Sequence, residues 1–151
     1  MNEIEFEEDL NEPSVTKLPL LAALFALIGL FDSLYLTVKH FQNEIVPCSL
    51  IEGCEVVLNS AYAEIGGIPI AAVGGLAYFT AFSLAVLSAF GNTKAWSLFG
   101  ILTGVMGLTT VYLLYLQAFV LGAFCQFCLI SAATTFSMVI AFAVSKLLRN
   151  T

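Results

Sequence analysis

Residues 95–145 read AWSLFGILTGVMGLTTVYLLYLQAFVLGAFCQFCLISAATTFSMVIAFAVS, a run without one Asp, Glu, Lys, Arg or His. A single bilayer crossing takes roughly 20 apolar residues, so this run is long enough to cross twice with a turn between. Gln117 and Gly122 mark that turn, which divides the run into spans expected over about 95–116 and 124–148. Upstream, Gly91-Asn92-Thr93-Lys94 is a compact turn signal, and before it a third apolar stretch covers about 68–90, opened by Gly66-Gly67-Ile68-Pro69. A fourth covers about 18–38, with Pro19 at its start, where a missing N–H costs little. The composition agrees: 60% of residues are hydrophobic and 11% charged, against about 25% charged in soluble domains. The fold class is therefore all-α, an integral membrane four-helix bundle, with the span-bearing domain over 18–148 and an outer loop over 39–67.

The net charge of -6 is not a field over the whole molecule, because six acidic residues (Glu3, Glu5, Glu7, Glu8, Asp9, Glu12) crowd the first twelve positions. Residues 1–17 read as an acidic, disordered tail. An acidic start, a long first apolar run and no small-x-small cleavage site after it argue for a retained helix rather than a signal peptide. Nothing is basic enough for nucleic acid. Lys17, Lys94, Lys146 and Arg149 fall on one side of a four-span topology and Lys39 alone on the other. The positive-inside rule then puts both termini in the cytoplasm of a multi-pass plasma-membrane or inner-membrane protein. The 39–67 loop and the 117–124 turn share the extracytoplasmic face, where disulfides persist.

All four cysteines lie on that face, as Cys48 with Cys54 in the loop and Cys125 with Cys128 in a Cys-x-x-Cys motif. Cys125 and Cys128, at i and i+3, face one way from the first turn of the last helix. Unpaired N–H groups and the helix dipole stabilise a thiolate there, and a thiolate is the nucleophile of disulfide exchange. On this reading Cys125 is nearer the water and Cys128 nearer the lipid. Inert packing cysteines, structural staples and a zinc site remain as duller readings. Among other groups, Asp32 is an ionisable residue inside a span, with Lys39 and His40 two turns on. Trp96, Tyr112 and Tyr115 read as interfacial anchors. Gly74, Gly75, Gly100, Gly104 and Gly107 read as tight helix contacts. Residues 55–60 suit a short interfacial helix.

Together these residues resemble the bacterial and archaeal homologues of vitamin K epoxide reductase, in a form without a fused thioredoxin-like domain. The matching elements are Cys48-(five residues)-Cys54-Glu55-Val56-Val57-Leu58-Asn59-Ser60, then Gly67-Ile68-Pro69 followed by Gly74 and Tyr78, then the Cys125–Cys128 motif. Their order separates the chain from the bacterial disulfide-bond-forming B family, in which the Cys-x-x-Cys comes in the first outer loop. The resemblance implies a bundle around a quinone (ubiquinone or menaquinone), capped by the outer loop and its short helix. It implies that Cys128 is the thiol nearest the quinone and Cys125 its partner facing the loop. Cys54 would exchange with Cys125, and Cys48 would meet an external thioredoxin-like protein, expected to be a separate chain. Ser60 matches a Ser or Thr that supports chemistry at the quinone end, and Val57, Leu58 and Tyr62 match pocket positions. The animal enzyme's pocket tyrosine falls on Ala132 and its pocket asparagine near Ile70. Both hydrogen-bonding groups to the vitamin are thus replaced, which points to quinone reduction rather than epoxide reduction.

The activity implied is a membrane thiol oxidoreductase that generates disulfides, with no metal. The rival from another class is a non-enzymatic four-span scaffold whose disulfides only hold the outer loop on the bundle.

Overall fold

The structure, a computed structural model, describes residues 13–45 and 53–150, and side chains from Lys17 onward. The acidic residues up to Glu12 and Cys48 therefore lie outside the described residues. Helix α1 runs Pro13–Gln42, α2 is the short Cys54–Leu58, and a 3-10 turn covers Ala61–Ala63. Strands β1 (Glu64–Ile65) and β2 (Ile68–Pro69) form a hairpin, followed by α3 (Ile70–Ala89) and α4 (Thr93–Tyr115). A π-helical segment, Leu116–Leu121, extends α4, and α5 is Gln126–Asn150. Four of these helices are long and apolar enough to cross a membrane.

The element ends follow local chemistry. Pro13, rather than Pro19, takes the first helical position, so Pro19 lies inside α1 and residues 13–17 belong to the helix instead of the tail. The hairpin turns on Gly66 and Gly67 with φ of 60° and 84°, the left-handed pair that a two-residue type I′ turn demands. It pairs Ile65 with Ile68 and delivers the chain to Pro69, the N-cap of α3. Asn92 caps α4 by accepting the Ala95 N–H at 3.1 Å. Beyond α4 the chain does not turn at Gln117. It continues as π-helix and stops at Gly122, whose φ of 63° provides a left-handed end.

The helices form a ring in the order α1–α3–α4–α5, each packed on its two neighbours. At the end away from the outer loop, Ala22, Ala23 and Ala26 of α1 meet Ala81 and Ala85 of α3 around Trp96, Phe99 and Met138. Small residues bring the backbones close there, which is how helices gain contact in lipid without a hydrophobic drive between them. Trp96 is not an interfacial anchor. It is buried, stacked on Phe99 at 4.8 Å between centroids, and donates to the Ser145 hydroxyl at 3.0 Å. Tyr112 and Tyr115 are exposed. So are Leu76, Leu108 and Phe119, as suits helices whose outer faces meet lipid chains.

Glycine use is selective. A Cβ on Gly29 would stand 2.3 Å from the Tyr78 ring and one on Gly100 2.2 Å from Phe142, whereas Gly104 faces open space. Gly29 is what lets Tyr78 reach across the bundle. Its hydroxyl donates to the Ser131 carbonyl at 2.7 Å and lies 2.7, 3.0 and 2.7 Å from the hydroxyls of Ser131, Thr134 and Thr135. This cluster ties α3 to α5 at mid-bundle and closes the floor of a cavity that opens toward the loop.

Candidate active site

The site is built where α2 and the start of α5 meet. Cys125 immediately precedes the first residue of α5 and its carbonyl accepts the Leu129 N–H at 3.0 Å, so it is the N-cap rather than a residue of the first turn. An N-cap side chain satisfies the free N–H groups of the second and third helical residues. Here the Cys125 sulfur takes that role toward the N–H groups of Phe127 and Cys128, and also accepts from the Cys128 thiol. These bonds favour the charged sulfur, the Cys128 thiol contributing most. They hold the Cys125 pKa below the ordinary thiol value, at about 7, against the opposing effect of burial.

Cys125 has no exposed surface, whereas Cys128 is only partly buried. Cys125 is covered because the short helix of the outer loop docks on it: Cys54, Val57 and Cys125 form one buried cluster, edged by Leu58, Leu121 and Phe127. Docking is backbone against backbone. A Cβ on Gly53 would fall 2.2 Å from the Phe124 carbonyl oxygen and 2.9 Å from its nitrogen. Gly53 and Phe124 immediately precede Cys54 and Cys125, so their close approach carries the two cysteines together. Cys54 is disulfide-bonded, while Cys125 and Cys128 are free thiols.

Sequence reading treated Gln117 only as a turn marker. In the structure it is buried, its Oε1 accepts the Cys125 N–H at 3.1 Å, and its side chain also bonds the Cys128 thiol. A polar residue in the middle of an uncharged run was the available signal. Phe127, the inner residue of the motif, packs its ring 5.2 Å from that of Tyr35 on α1.

Cys128 looks into the cavity, which has a volume of about 320 Å³. Ser60, Val57, Leu58 and Tyr62 line it from the outer loop, Ile70 from α3 and Ala132 from α5, so these residues share one space with Cys128. Ser60 also donates to the Val57 carbonyl at 2.7 Å, which fixes the end of α2. Tyr78, Ser131, Thr135 and Gln117 add polar groups to a mostly apolar wall. Asp32 and His40 line it from α1. Asp32, Lys39 and His40 differ in their partners: Lys39 pairs with Glu44, His40 lies 2.7 Å from Glu64, and Asp32 keeps one buried oxygen, Oδ2, without a partner. Among the described residues, no three His, Cys, Asp or Glu side chains converge as metal ligands do.

The chain is 31% identical over 118 residues to the thiol-disulfide oxidoreductase LTO1 of Arabidopsis thaliana, an alignment that takes in 72% of this chain and 31% of that protein. This chain thus spans about a third of the relative's length. The model of the vitamin K epoxide reductase family matches residues 20–143, and the chain belongs to that family.

Proposed function

We propose that the protein is a thiol oxidoreductase of the membrane that makes disulfides and passes the electrons to a quinone. The observation that carries this reading is the pair of faces of the Cys125–Cys128 motif: Cys125 packs against Cys54, and Cys128 borders a cavity. A thioredoxin-like protein on the extracytoplasmic side, carrying electrons from newly secreted chains, reduces the Cys48–Cys54 disulfide through attack on Cys48. Cys54 then attacks Cys125 of the oxidised motif, forming a Cys54–Cys125 linkage and releasing Cys128 as a thiolate. Attack of Cys48 on Cys54 resets the loop. Every step is thiolate attack on a disulfide sulfur.

The cavity fits a quinone ring. Its volume lies in the roughly 300–1,000 Å³ range of small-molecule sites, its wall is mostly apolar, and Ser60, Tyr62 and Gln117 are among the polar side chains on that wall that could meet ring oxygens. When bound, the quinone supplies an acceptor for two electrons and two protons. This chain's part is to seat the ring against Cys128, to hold Cys128 through Gln117 and to exclude water with the docked loop. Whether the acceptor is ubiquinone or menaquinone is set by the membrane that supplies it.

Trapping tests the relay. In Cys128→Ala the Cys125 thiolate has no motif partner and attacks Cys54, so the Cys54–Cys125 linkage accumulates as a mobility shift on non-reducing gels. A folded, inserted variant without that species refutes the order given. The scaffold reading predicts instead that cysteine variants lose stability, and that the purified protein with a dithiol partner leaves the ultraviolet absorbance of added quinone unchanged.

A further inference from the structure

Asp32 is the one acidic residue within the four membrane-crossing helices. A carboxylate in that position is costly unless paired or used. It is not paired as a structural aspartate would be, since Oδ2 is buried without a hydrogen-bond partner, while Lys39 pairs with Glu44 and His40 with Glu64. It lines the cavity that Cys128 borders, and it lies near enough to Cys125 for its charge to oppose a thiolate there. The other ionisable groups around the same space are His40 from α1, Tyr62 from the loop, Tyr78 from α3, and Cys128 itself from α5.

We propose that Asp32 is the proton carrier of this site, taking protons from the Cys125–Cys128 thiols and delivering them to the oxygens of the bound quinone. This rests on the quinone reading above. In the reduced motif Cys125 is a thiolate that accepts from the Cys128 thiol, and the proton it has given up sits on Asp32. Closing the Cys125–Cys128 bond releases two electrons, one proton from the Cys128 S–H and one from the Asp32 carboxyl, and reduction of a quinone to its quinol consumes two of each. No proton is drawn from solvent. A carboxyl group with one unengaged oxygen on the cavity wall completes the balance: it hands over its own proton, relays that of Cys128, and is left as a carboxylate once the motif is oxidised. With a quinone bound, such a group would be a catalytic residue, handing its proton to the ring oxygen.

The test uses the full chain in lipid nanodiscs, reduced beforehand with a dithiol and mixed with the short-chain quinone ubiquinone-1. Asp32→Asn is expected to slow quinol formation at least about 100-fold, within the usual contribution of a positioned acid–base group. Asp32→Glu is expected to stay within about tenfold of the parent, because the longer carboxylic acid still carries a proton. Formation of the Cys54–Cys125 linkage, followed separately, reports that the variant is folded. A second readout needs neither quinone nor a variant. Infrared difference spectra of reduced minus oxidised wild-type chain should contain a buried carboxyl band that shifts in deuterated water. An Asp32→Asn rate within about threefold of the parent, or spectra without a carboxyl change, overturns the assignment. Wild-type protein that forms the Cys54–Cys125 linkage yet leaves ubiquinone-1 oxidised removes the quinone reading, and the assignment falls with it.

Discussion

Gly53→Ala tests how the two sulfur pairs are brought together. The added Cβ would stand 2.2 Å from the Phe124 carbonyl oxygen, where ordinary contact begins at 3.4 Å. The opposing atoms are backbone, so no rotamer change relieves the overlap. The loop must lift by about 1 Å, and Cys54 moves with it. A misplacement of about 1 Å costs a reacting pair on the order of 10²-fold in rate. In a Cys128→Ala background, the Cys54–Cys125 linkage should therefore form about 100-fold more slowly with Gly53→Ala than without it. Timed acid quench, alkylation and non-reducing electrophoresis measure this directly. Circular dichroism of the same protein should still show the intact helical bundle, because the Trp96 and Tyr78 packing is left in place. Linkage formation within about twofold of the parent rate would show that close backbone approach is not what positions the cysteines.

With Cys54 held in its disulfide, ultraviolet thiolate absorbance of the reduced motif should titrate with a midpoint of about 7 for Cys125. Cys128→Ala should raise that midpoint, because the largest of the bonds to the sulfur is removed; an unchanged midpoint refutes the assigned cause. Since this pKa lies below that of a free thiol, the thiolate's contribution to stability is fully present above the free-thiol pKa and is lost as pH falls through about 7. Tyr78→Phe removes the bonds to Ser131, Thr134 and Thr135 and should cost about 1 kcal/mol, within the range measured between membrane helices, read by denaturant unfolding in detergent. Gly29→Ala should lower the unfolding midpoint while Gly104→Ala leaves it unaltered, since only the first meets a neighbour.

The four apolar helices were legible from charge distribution alone, since a bilayer leaves few alternatives for such runs. Their ends were less so. The π-helical extension past Tyr115 keeps Gln117 inside a helix, and a glutamine in an uncharged run reads as a turn until its partners, Cys125 and Cys128, are seen. The motif Cys125–Cys128 announced itself by spacing. Which sulfur is covered did not, because burial of Cys125 depends on contact with a helix some 70 residues earlier in the chain. Trp96 was misread for a related reason: aromatic residues near span ends favour the interface on average, and Ser145 opposite its indole is invisible without the helix pairing.

Cys125 lies sealed beneath α2. Small dissolved thiols have no surface of that sulfur to attack while the loop is docked. Access to it runs through the loop, so a five-residue helix decides which molecules can reach the sulfur.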